Sequence, residues 1–110
     1  MNRIPMSTAA AGLLRALIAR ANVPRDRVLL TDAKSVDWQS LTFAGERHVI
    51  ELRVPGSGSR DIVERMCEGL EDLEFNITGV IVADIAAGLP SRSPDGSTAI
   101  RIEALTVTAD

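Results

Sequence analysis

The chain has 110 residues, 45% of them hydrophobic and 25% charged, with 3% aromatic residues and a net charge of -3. That length suits one domain with a core that needs no disulfide or structural metal. The acidic balance argues against a nucleic-acid partner. A lone cysteine, Cys67, excludes an intrachain disulfide and a cysteine-based zinc site.

The first element is a helix from about Thr8 to Ala21. Ser7 or Thr8 suits its cap, and Leu14, Leu17, Ile18 and Ala21 fall at helical spacing as a buried stripe. Asn22 suits a left-handed C-terminal position, and Pro24 forbids continuation. Residues 1–6 read as a flexible N-terminus. Arg15 and Arg20 interrupt the apolar run, which defeats a secretory leader, and no window is apolar enough for a membrane span. The expectation is a cytoplasmic protein with no membrane partner. The glycosylation-like triplet Asn76-Ile77-Thr78 is then a chance match.

A strand-like run, RVLLT, covers 27–31, and residues 32–37 leave two readings open, a turn or a bulged continuation. The stretch DWQSLTFAGERHVIEL, 37–52, holds the only Trp and the only His. Gly45-Glu46 fits a two-residue type II′ hairpin loop between strands at 38–43 and 48–54. In that register Phe43 faces His48 and Leu41 faces Ile50, so Leu41, Phe43, Ile50 and Leu52 form one apolar face. Trp38 meets Arg53 on the other face.

The Gly-rich PGSGS, 55–59, leads to a second helix, about Ser59 to Glu74, with Ser59 as its cap. Ile62, Met66, Leu70 and Leu73, flanked by Val63 and Cys67, make its buried stripe. Strands follow at 80–87 and 98–107, with a loop over 88–97.

The pattern α-β-β-α-β-β predicts an α+β two-layer sandwich: a four-stranded antiparallel sheet with two helices on one face. The crossover rule puts the last strand between those near 50 and 82, in the order 80–87, 98–107, 48–54, 38–43. That is a ferredoxin-like sheet, circularly permuted so that its first strand lies at the chain's end. Residues 1–36 carry six basic and two acidic side chains, net +4, which leaves -7 for the rest. Arg15 or Arg20 is therefore expected to meet Glu64, Glu68 or Glu71 between the helices, although two solvated helix faces are the commoner meaning of such asymmetry.

The uncovered sheet face is the candidate site. It is expected to carry Trp38, Ser40, Thr42, Val49, Glu51, Arg53, Val80, Val82, Asp84, Arg101, Glu103, Leu105 and Val107, an apolar and charged mixture that suits a partner. Trp38, Arg53, Glu51, Arg101, Val82 and Leu105 are its binding candidates. Trp38 over Arg53 fits a cation–π pair, either a binding anchor or a cover for an open edge. His48 reads as structural, since no nucleophile or orienting carboxylate accompanies it. Cys67, mid-helix among acidic side chains, reads as a small core or boundary residue. The turn VPGSGSRD lacks the full pattern of a phosphate loop and reads as a connector. No catalytic residue, metal site or cofactor is expected. The reading that follows is a non-catalytic assembly module, homodimeric through the open face. A regulatory module recognising a small polar ligand there is the alternative. An enzyme using His48 with Glu51 or Asp84 ranks last.

Overall fold

The computed structural model describes residues 4–109 as an α+β fold with two helices and a five-stranded antiparallel sheet. The elements are α1 (Thr8–Ala21), β1 (Leu29–Gln39), β2 (Ala44–Val54), α2 (Ser59–Cys67), β3 (Val80–Ala87), β4 (Ser91–Arg92) and β5 (Thr98–Thr108). The long strands stand in the order β1-β2-β5-β3, as the crossover argument requires, and β4 adds a fifth strand beside β5. The expected four strands are thus one too few, because the 88–97 connection contains β4. Of the expected flexible N-terminus, residues 1–3 lie outside the described residues, whereas Met6 packs against the core.

Helix α1 has the expected bounds. Ser7 Oγ accepts from Ala10 N–H at 3.1 Å, and Asn22 closes the helix in the left-handed region at φ 54°. Helix α2 is shorter than expected. Gly69, at φ 64°, turns the chain after Cys67, and Leu70–Asp72 form only a 3-10 turn. Its cap residue is Gly58 rather than Ser59. Ser59 is already helical, and its buried hydroxyl donates to Gly96 C=O or pairs with Thr98 Oγ1, each at 2.7 Å.

The helices' C-terminal ends meet through arginines, but not as expected. Arg20 donates to the carbonyls of Met66, at 2.9 Å, and Glu68, not to acidic side chains. Arg65 donates from Nε and Nη2 to Ala21 C=O at 3.0 and 2.7 Å. Each helix thus supplies a cation to carbonyls that the other helix leaves without intrahelical partners.

The largest correction concerns the first hairpin. Residues 32–37 continue one long strand, with a bulge between Leu30 and Asp32, and the turn is Ser40–Phe43 instead of Gly45-Glu46. Ser40 organises it, with Oγ accepting from Thr42 and Phe43 N–H at 3.3 and 3.0 Å. Leu30 and Ala33 therefore occupy the places opposite Leu52 and Ile50 that were expected for Gln39 and Leu41. Leu41 and Phe43, expected in the core, lie exposed at the hairpin tip.

The core lies between the helices and one sheet face. Leu13, Leu17, Ala21, Val63 and Met66 pack against Ile50, Leu52, Val54, Ile100 and Ile102. Alternation is regular on β2 and β5, where even-numbered residues from His48 to Val54 and from Thr98 to Thr106 are buried. No helix among the described residues is long and apolar enough to cross a membrane.

Candidate functional site

Among the described residues no helix covers the other sheet face, and strand register maps it row by row. The row nearest the hairpin tip is Trp38, Gly45, Val107 and Ile81, followed by Val36, Arg47, Leu105 and Asp84. Beyond these come Lys34, Val49, Glu103 and Ala86, then Asp32, Glu51 and Arg101, and finally Leu29, Arg53, Ala99 and Ser91. The face has two unlike ends.

Its tip end is apolar. Val36 is 65% exposed and Ile81 54%, while Leu41 and Phe43 project from the adjoining turn. Trp38 sits opposite Gly45, where no side chain competes for space. A Cβ at Gly45 would lie 1.8 Å from the Thr106 carbonyl oxygen, so the close approach of β2 to β5 requires glycine. Val107, one place further across that row, is buried despite belonging to the open face.

The opposite end is charged. Glu51, Arg53 and Arg101 line a cleft of about 300 Å³ with Thr31, Ser91 and the exposed Leu89. Arg53 Nη1 donates to Ser97 Oγ at 2.9 Å, and Ser97 in turn bonds Asp95 Oδ1 through its hydroxyl and N–H, at 2.6 and 2.9 Å. The hydroxyl bond and then the backbone bond hold the Asp95 carboxyl below its ordinary range, with the Arg53 charge adding a smaller push.

Three of the six binding candidates, Glu51, Arg53 and Arg101, thus come together in one cleft. Trp38 and Leu105 lie toward the apolar end. The expected Trp38–Arg53 pair is not made. Arg53 faces Leu29, nine residues from Trp38 along β1, a separation of roughly 25–30 Å at the rise of an extended chain. Val82 and Val80 do not belong to this face. A bulge between Val82 and Asp84 reverses the alternation, so Val82 packs against the core while Asp84 faces outward.

His48 lies on the helix-covered face, 1% exposed. Its Nδ1 is 2.7 Å from Ser35 Oγ and its Nε2 is 2.8 Å from Thr106 Oγ1, linking β1, β2 and β5. Either neutral tautomer is satisfied, because each hydroxyl can donate or accept. Burial lowers the pKa of His48 below its ordinary value, and Glu46 opposes the shift by its charge. Glu51 and Asp84, the carboxylates considered as its partners, point to the opposite face. Ser35 and Thr106 were missed as its partners. Thr106 was legible, since alternation from Ile100 and Ile102 puts it on the buried side. Ser35 was not legible once the turn had been misplaced.

Cys67 is partly buried against the core. Burial raises its thiol pKa, and the Arg20 charge counters in part. Among the described residues no group of three His, Cys, Asp or Glu side chains is placed to hold a metal. Comparison with protein-family models, with curated proteins and with solved structures finds no match to this chain.

Proposed function

We propose that the protein is a small non-catalytic interaction module that pairs with a second copy of itself through the open sheet face. The observation that carries this reading is the concentration of exposed large hydrophobics at one end. Val36, Leu41, Phe43 and Ile81 are four of the six such residues described, and all lie at or beside the Trp38 row. Apolar patches of this kind are characteristic of association surfaces. Charge supports a like partner. The face carries Asp32, Glu51, Asp84 and Glu103 against Lys34, Arg47, Arg53 and Arg101, so its net charge is zero on a chain of net charge -3. Two such faces attract as readily as they repel, and two-fold pairing closes the assembly.

Size-exclusion chromatography with light scattering tests the reading. A dimer is expected for the native chain and a monomer for Val36→Asp. A native chain that stays monomeric at high concentration overturns it. The same reading takes the four long strands as a circularly permuted ferredoxin-like sheet, because β5 lies between the two strands that α2 connects. It assigns the protein to the cytoplasm.

A second reading, a regulatory module that holds a small polar ligand, is supported by the convergence of Glu51, Arg53 and Arg101 on one cleft. Trp38 is too remote to report on that cleft. Melting temperature and backbone amide shifts across β2 and β5 are the appropriate readouts, and a broad metabolite screen that moves neither would refute this reading.

A further inference from the structure

We propose that the cleft at the Arg53 end of the open face binds a compact zwitterion of the α-amino-acid class. The proposal rests on the ligand-cleft reading and specifies its chemistry.

The charges at the cleft divide across a diagonal of the sheet, with Glu51 and Arg53 two residues apart on β2. Asp32 on β1, next to the lining residue Thr31 but not itself on the lining, stands directly opposite Glu51 on β2, and Glu51 stands directly opposite Arg101 on β5. Arg53, two residues along β2, points to the same face. One flank is therefore anionic and the other cationic. Like charges directly opposite each other across strands are unfavourable. Among the described residues no ion pair within 4.0 Å relieves the Asp32–Glu51 juxtaposition, the one such pair being Arg60–Glu64. A ligand ammonium placed over Glu51 would relieve it.

The cationic flank suits a carboxylate. Arg53 is held at Nη1 by Ser97, itself bonded to Asp95, and this fixes the guanidinium while leaving Nε and Nη2 for a ligand. Arg101 is exposed and supplies a second fork. A ligand that is anionic alone would meet both guanidiniums but would also face the unpaired Glu51. A cation alone would face both arginines. A zwitterion satisfies both flanks. The volume, about 300 Å³, corresponds to about ten water molecules at ~30 Å³ each, enough for a single amino acid. Leu89, 93% exposed on the lining, offers an apolar surface to a ligand side chain.

The test is a backbone-amide shift titration of the isotope-labelled chain with each common L-amino acid. L-Leucine is compared directly with isocaproate, which lacks the ammonium, and with L-leucinamide, which lacks the carboxylate. Saturable shifts at Glu51, Arg53 and Arg101 are expected for at least one amino acid. Deleting either charged group should weaken binding at least about tenfold, and Glu51→Gln and Arg101→Gln should each weaken it about tenfold. Isocaproate binding as tightly as leucine leaves a ligand cleft but overturns the zwitterion. So does undiminished binding by Glu51→Gln. No saturable shift from any amino acid up to about 10 mM overturns the proposal, and if the metabolite screen is also silent, the ligand reading falls with it.

Discussion

Replacing Thr106 by Val tests whether the Ser35–His48–Thr106 chain, buried at His48 and Thr106, stabilises the fold. Val preserves the shape of Thr but removes the hydroxyl 2.8 Å from His48 Nε2. The ring is 1% exposed, so water cannot take the hydroxyl's place without the structure opening. A buried polar group left unpaired costs about 1–3 kcal/mol. At this length, about 1 kcal/mol corresponds to roughly 4 °C, so the melting temperature should fall by ~4–12 °C. The assay is thermal unfolding at pH 7.5, followed by circular dichroism. A second arm uses pH. Burial depresses the folded-state pKa of His48 below 6.5, so the unfolded chain takes up the proton first as pH falls. The stability linked to neutral His48 is fully present above about pH 6.5 and is lost progressively below it. His48→Gln can bond both hydroxyls but does not titrate, so its stability should fall less than that of the native chain between about pH 7 and 5. Parallel pH profiles for the two chains, with an unchanged melting temperature for Thr106→Val, would refute the reasoning.

Three further substitutions probe the scaffold. Gly45→Ala forces a Cβ to within 1.8 Å of the Thr106 carbonyl oxygen, and a loss of about 3 kcal/mol is expected in urea unfolding. Ser59→Ala strands Thr98 and the Gly96 carbonyl, which should cost about 1–3 kcal/mol by the same measurement. Arg65→Met removes both bonds to the Ala21 carbonyl, but the side chain is exposed, so a smaller loss of about 1 kcal/mol is expected, with amide exchange quickening at the end of α1.

Helix α1 was legible because its signals agree. Ser7, the apolar stripe, Asn22 and Pro24 all specify the same element and bounds. The sheet order was legible because crossover rules admit few alternatives. The first hairpin was not. Gly45 carries the usual mark of a tight turn, yet its lack of a side chain serves close strand packing, while Ser40 builds the turn from its hydroxyl. Local turn chemistry cannot distinguish these two uses of glycine. The second helix was overextended for a related reason. Apolar spacing continues through Leu70 and Leu73, but the backbone is already extended at Glu68, and Gly69 in the left-handed conformation turns the chain away from the helix axis. Of the site, Glu51, Arg53 and Arg101 were found together because regular alternation on β2 and β5 sets their face. Val82 was lost because its strand is irregular.

Two bulges decide the chemistry of the open face. On β3, strict alternation would have put Val80 and Val82 outside with Asp84. The extra residue between Val82 and Asp84 turns both valines to the helix-covered side, where Val82 packs against the core, and leaves Asp84 outward beside Leu105. On β1, the irregularity between Leu30 and Asp32 lets Leu30 and Ala33 both face the helices, while Leu29 and Asp32 both face outward. Without it, Asp32 would lie on the same side as Leu30, facing the core. It would not stand across from Glu51, and the anionic flank of the cleft would not exist. The charge separation of the face therefore depends on where one extra residue enters an edge strand. Deleting Thr31 removes the extra residue but leaves Leu30 opposite Leu52 and Asp32 opposite Glu51 in an unbroken ladder, so binding that depends on the Asp32–Glu51 flank should survive the deletion in the amide-shift titration.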